Sequence, residues 1–217
     1  MKRRNPANHP WATQRRGNVA RHAYACEALE QRLFLSAVSW INAAGGAWTT
    51  PANWSNNAVP SVADDVTINL PGTYAVTGAG STINSLVLGA ATGTQTLNVS
   101  ATLSIAVSST VGSHGAFVLS SGTLSGAGTL SISGTFDWSG GSMVGSGMTI
   151  IAAAATATIS SAATKYLDSG TLQVNGTANY TGSGLVFASN GTLNVGAGGV
   201  FNFADDGNLA FFSSPAG

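Results

Sequence analysis

Few residues in this 217-residue chain could carry acid–base or metal chemistry, and they are widely spaced. After position 32 there is one base, Lys165, one histidine, His114, and six acids: Asp64, Asp65, Asp137, Asp168, Asp205 and Asp206. A polysaccharide-cleaving site needs carboxylates gathered on one face, with a base or cation to stabilise developing charge. Asp137 and Asp168 stand further apart in sequence than any interval of the repeats described below, so stacking on one face is not supported. Lys165 and Tyr166 next to Asp168, without an arginine, make a poor site, and Lys165 reads as a solvated corner. Asp64-Asp65 and Asp205-Asp206 are adjacent pairs, whose side chains leave a strand on opposite faces, and the calcium-binding G-G-x-G-x-D nonapeptide is absent. Gly196-Ala197-Gly198-Gly199 precedes Asp205 without that spacing. The one cysteine, Cys26, permits no intrachain disulfide or cysteine metal site, and it precedes the apolar run that a lipobox would place before it. The expectation is no catalysis, no metal and no cofactor.

The aromatic residues leave two readings open. Trp48 and Trp54, six positions apart around Pro51, can stack on sugar rings if exposed, or plug the open end of a first coil. Trp138, between Asp137 and Gly140-Gly141, is open in the same way. Asn53, Asn98, Asn175, Asn179 and Asn190 head N-x-Ser/Thr sequences, which arise easily at this hydroxyl content and imply no glycosylation.

What must position these residues is a body almost without charge. Charged residues are 7% of the chain, against about 25% in an ordinary globular protein, while Gly, Ser and Thr make up 77 of the 217 residues. A coiled coil and charge-driven disorder are both excluded by that composition. Residues 1–32 hold seven bases and two acids; residues 33–217 hold one base and six acids. Phosphate neutralisation needs Lys and Arg, so the body is not expected to bind nucleic acid. The basic segment 1–44 reads as an export-related leader, poorly ordered or partly helical, with cleavage conceivable near Ala44. Its apolar stretch, Leu33 to Ile41, is far too short to span a bilayer.

Within that leader, Glu27-Ala28-Leu29-Glu30-Gln31-Arg32-Leu33-Phe34-Leu35-Ser36-Ala37 resembles the N-terminal LEPR-XLL motif of large planctomycete surface and exported proteins. Gln31 replaces the usual proline and Phe34 one of the usual leucines. The resemblance implies a sorting role for Glu27, Ala28, Leu29, Glu30, Arg32, Leu33, Leu35, Ser36 and Ala37, and hence export or sorting machinery as a partner. The alternative is a short amphipathic helix with Leu29 and Leu33 on one face.

Residues 45–217 read as a single β-repeat domain. Short apolar runs such as Val66-Thr67-Ile68, Leu86-Val87-Leu88, Leu97-Asn98-Val99 and Phe117-Val118-Leu119 are separated by Gly, Ser, Asn and Asp. Thr149 to Ile159 is alanine-rich, but its β-branched residues favour sheet. Gly-Thr-Leu recurs at 122–124, 128–130, 170–172 and 191–193, and glycines step by six at 122, 128, 134 and at 170, 176, 182. On the longer scale, Thr96-Leu97, Thr123-Leu124, Thr149-Ile150, Thr171-Leu172 and Thr192-Leu193 recur at intervals of roughly two dozen residues, the length of one β-helix turn. These spacings predict a right-handed parallel β-helix, in which six residues are one strand plus its corner and glycine serves corners through positive φ. A β-sandwich would not explain the repeated phase. Phe201, Phe203, Phe211 and Phe212 close the chain, either as a cap or as a coil of a longer protein.

Trp48-Thr49-Thr50-Pro51-Ala52-Asn53-Trp54-Ser55, then Val59-Pro60 and Asp64-Asp65-Val66-Thr67-Ile68, resembles the opening of autotransporter-type and planctomycete β-helical repeats. Together the two resemblances imply an exported cell-envelope, cell-surface or extracellular protein, structural or adhesin-like. Cell-surface glycans or proteins would be its partners, and no transmembrane segment is expected. A carbohydrate-binding or polysaccharide-degrading β-helix is the alternative.

Overall fold

The computed structural model describes residues 36–188, 190–204 and 209–212, and these form an all-β parallel solenoid. Residues 27–35 of the proposed sorting motif lie outside the described residues; Ser36 and Ala37 lie inside. Three parallel sheets of eight, eight and seven strands run the length of the stack. The first sheet begins with Ser36–Ser39 and Asp64–Ile68 and ends with Thr192–Val195. The second runs from Gly46–Ala47 to Val200–Phe203, and the third from Thr82–Ile83 to Leu209–Phe212. Every pairing of strands is parallel, so each coil hydrogen-bonds to the next and no β-sandwich is present among the described residues. The Thr149–Ile159 stretch is two strands, Met148–Ile151 and Thr156–Ile159, joined at an alanine corner.

The six-residue glycine step is one strand plus its corner. Thr123-Leu124 lies in the third sheet, Thr129-Leu130 in the first and Thr135-Phe136 in the second, with the apolar residue of each pair buried. The longer Thr-Leu spacing needs correction. Thr96-Leu97 and Thr123-Leu124 occupy different sheets, so their separation is not a coil. Register partners define the coil instead. Leu124 faces Met143 and Met143 faces Leu167, the second step being the longer, so successive coils differ in length. Thr149 is also out of phase, since it stands beside Leu172 and is itself buried.

At Gly122 and Gly134 glycine is required for a reason other than positive φ. Gly122 and Gly134 are absent from the positive-φ residues. A Cβ on Gly122 would fall on the Ala101 carbonyl, and one on Gly134 on the Gly115 carbonyl. The corner packs backbone on backbone between successive coils, and only glycine lets it close.

Inside, Leu, Val, Ile and Phe columns make one continuous core. Val66, Leu86 and Leu88 line the first sheet; Leu97, Phe117 and Phe136 the second; Ile83, Leu103, Ile105 and Leu167 the third. Each fully buried side chain of this size contributes about 1.5–3 kcal/mol relative to exposure. The fold also begins earlier than the expected boundary at residue 45. Ser36–Ser39 pairs in register with Asp64–Thr67, and Val38 and Trp40 are core residues.

Candidate functional site

Trp48 and Trp54 sit within the opening coils with no ring face left for a sugar, being 0% and 1% exposed. Trp40 joins them. Trp54 makes edge-on contacts with both, at ring-centroid distances of 5.0 Å to Trp40 and 4.7 Å to Trp48. All three indole N–H groups donate: Trp40 to the Asn42 carbonyl, Trp48 to Ser81 Oγ and Trp54 to the Trp48 carbonyl. Asn42 and Asn53 complete the plug. Asn42 Nδ2 donates to Gly45 O and Asn53 Oδ1, and Asn53 Nδ2 donates to Ala47 O. The spacing of Trp48 and Trp54 marked the cluster; Trp40 was hidden inside what read as the leader.

The carboxylates are dispersed. Asp137 stands on the second sheet, where Ser160 Oγ donates to it at 3.1 Å, and Asp168 on the third, where Ser169 Oγ donates at 3.0 Å. Asp64 points inward and Asp65 outward on one strand. Burial pushes the Asp64 carboxyl up, but hydrogen bonds from the Ser36 hydroxyl and from the Ser61 backbone and hydroxyl outweigh it and hold the group below the usual range. Asp65 accepts from Asn84 Nδ2 and Ser85 Oγ of the next coil. His114 is exposed, with Nδ1 2.9 Å from the Gly93 carbonyl. No group of three or more His, Cys, Asp or Glu side chains converges among the described residues. Asp205 and Asp206 lie outside them.

Lys165 is not a solvated corner. It is fully buried, alternating with exposed Tyr166 and buried Leu167 along Lys165–Asp168. Its Nζ donates to the carbonyls of Ser161 (3.0 Å) and Ala163 (2.6 Å), which belong to the corner just before it. Burial pushes its amine below the ordinary lysine value, partly opposed by the field of Asp137. Gln95 does the same for the corner preceding its own strand: Nε2 donates to Thr92 O and Gly72 O, while Oε1 accepts from Ala90 N. Both are corner staples: a buried polar side chain satisfies its own donors on the carbonyls of neighbouring loops.

Three surface features remain. A pocket at the corner between the third and first sheets is lined by Leu124, Gly126, Leu130, Met143, Gly147 and Met148, among others. Its polar side chains are the hydroxyls of Ser125 and Thr149, with no acid or base. The outward face of the second sheet carries two columns. Thr96, Thr135, Thr156 and Thr177 share one with Ala116 and Val200; Asn98, Asp137, Thr158, Asn179 and Asn202 share the other with Val118. Asn202 Nδ2 donates to Asn179 Oδ1 at 2.9 Å, and Ser120 Oγ to Asn98 Oδ1 at 2.7 Å. Tyr166, 45% exposed on the third sheet, is an accessible ring that the sequence reading passed over in favour of the tryptophans. The parity of the strand signalled it, since an inward Leu167 forces Tyr166 outward.

No helix among the described residues is long and apolar enough to cross a membrane. No protein-family model, curated protein or solved structure matches the chain.

Proposed function

We propose that the chain is an exported, non-catalytic structural or adhesin-like element of the cell envelope, a β-helical stack whose threonine- and asparagine-lined face meets a surface or partner. The observation that carries this reading is the pair of outward columns on the second sheet, in which hydroxyls and amides recur along the stack, interrupted by the coil of Ala116 and Val118. Successive coils are about 4.8 Å apart, so such a face offers many weak, evenly spaced hydrogen-bonding groups rather than one reactive centre. Two of the titratable groups that could have served chemistry are spent internally: Lys165 and Asp64 hold corners and strand ends. The likeness of residues 27–37 to the planctomycete motif supports export, with sorting machinery as the partner of that segment. Immunogold labelling of intact cells, paired with fractionation, tests the reading. Surface label is expected; label confined to the cytosol overturns it.

Carbohydrate binding is the second reading, favoured by Tyr166 on the outward face of the third sheet, beside Ser142 of the preceding coil and two positions from Asp168. A glycan array with the native chain and Tyr166→Ala tests it. Loss of a glycan signal in the variant supports binding through this ring, and silence from the native chain removes the reading.

A further inference from the structure

We propose that Asn190 is a site of spontaneous deamidation, and that the fold itself selects it over the other Asn-Gly pair, Asn175-Gly176. Asparagine followed by glycine is the pair in which the next backbone nitrogen reaches the side-chain amide with least hindrance, because glycine carries no Cβ. The Gly191 nitrogen attacks Cγ of Asn190, a new C–N bond forms, and the bond from Cγ to the side-chain nitrogen breaks. That nitrogen leaves as ammonia, taking the proton from the Gly191 N–H. Solvent water then adds to either carbonyl of the resulting cyclic imide, giving aspartate or isoaspartate. No oxidant, metal or enzyme enters the balance.

The two pairs differ in exposure and in how many hydrogen bonds hold them, the Asn190 carbonyl accepting from Thr192 Oγ1 at 3.2 Å. At Asn175-Gly176 both backbone nitrogens donate to the Ile151 carbonyl, at 2.8 and 3.2 Å. Asn175 Oδ1 is held by Gln173 Nε2 at 2.7 Å, and the Gly176 carbonyl accepts from Val200 of the following coil at 2.8 Å. Gly176 is buried. The corner is clamped from the coils on both sides, so the attack requires those hydrogen bonds to open first. Asn190, by contrast, is exposed, at φ +74° in the turn between Leu185–Ala188 and Thr192–Val195. Thr192–Val195 is the outermost described strand of the first sheet, where local opening costs least. Nor does position 191 admit a protective side chain, since a Cβ on Gly191 would fall on the Leu167 carbonyl. The tight corner thus fixes the glycine that makes Asn190 reactive.

The product places a carboxylate on a body that carries few charges, and the isoaspartate form adds a methylene to the backbone just before a paired strand. The test is peptide mapping by mass spectrometry of the full chain, aged in mildly alkaline buffer either folded or in denaturant, with isoaspartate detected by enzymatic methylation. In denaturant the two sites should react within about twofold of each other. In the folded chain Asn190 should react at least about tenfold faster than Asn175, the ratio that ~1.4 kcal/mol of extra opening free energy produces. Equal protection of the two sites in the folded chain, or faster reaction at Asn175, overturns the proposal.

Discussion

Replacing Trp54 separates the two roles that tryptophans near a β-helix opening can play. If the ring were a sugar platform, Trp54→Ala would remove binding and leave the fold intact. The structure requires the reverse. Trp54 is 1% exposed, touches Trp40 and Trp48 edge-on, and donates its indole N–H to the Trp48 carbonyl at 2.7 Å. Truncating a buried tryptophan to alanine costs about 3–5 kcal/mol, cavity included. Trp54→Phe keeps a ring in the cluster and loses the hydrogen bond, leaving the Trp48 carbonyl without that donor; about 1–3 kcal/mol is expected. In a stacked fold, stability is close to a sum of coil and interface contributions, so the loss should stay local. Denaturant unfolding should rank native, then Trp54→Phe, then Trp54→Ala. Hydrogen exchange should accelerate in residues 36–68 while strands near Leu130 and Phe136 stay protected. An unchanged midpoint with unchanged exchange over 36–68 would refute the packing argument.

Other consequences can be checked in the same way. Gly134→Ala should destabilise by about 1–3 kcal/mol or more through overpacking against the Gly115 carbonyl, whereas exposed Ser133→Ala should stay within about 0.5 kcal/mol; thermal unfolding compares the two. Because the folded Lys165 amine lies below its ordinary value, the unfolded chain binds more protons between those two values, so stability should rise with pH across that window. From the ordinary tyrosine value upward, overlapping the top of that window, the buried Tyr74 phenol, raised by burial, opposes the trend, and Lys165→Met should flatten the rise in pH-dependent denaturation curves. Asp64 acts in the same direction at acid pH: its folded value is depressed, so its contribution is present above the ordinary aspartate range and is lost as pH falls through the folded value. Asp64→Asn should remove part of the acid sensitivity, and Ser36→Ala should weaken it by withdrawing one donor. A chain beginning at residue 45 lacks Ser36–Ser39, Val38 and Trp40, and should unfold at clearly lower denaturant than one beginning at residue 33.

The coil architecture was legible because the solenoid writes its geometry into the sequence at short range. Gly-Thr-Leu states in three residues that a corner must be bare of side chain, the next position faces water and the next the core. The long repeat was misjudged because identical dipeptides recur on different sheets, and only pairing shows which ones stack. The start of the fold was misplaced for a related reason. Ser36 to Trp40 carry the apolar character of an export leader and of a first strand equally, and the choice is made by long-range partners, Asp64 to Thr67, that composition does not reveal. Lys165 failed through a rule applied too broadly. Charge at a corner is usually solvated, but here the strand parity set by Leu167 turns residue 165 inward, and the preceding corner presents two carbonyls within reach of its Nζ.

Those three cases bear on function together. The same parity that buries Lys165 exposes Tyr166, and the same pairing that makes Ser36 a strand residue ties the end of the proposed sorting motif to Asp64. Once Ser36 to Ser39 have paired with the coil above, the final residues of that motif are backbone-bonded sheet. A receptor reading residues 27–37 as an extended or helical peptide would therefore compete with folding of the first coil. Under the export reading, recognition of the whole motif belongs before the opening coil closes.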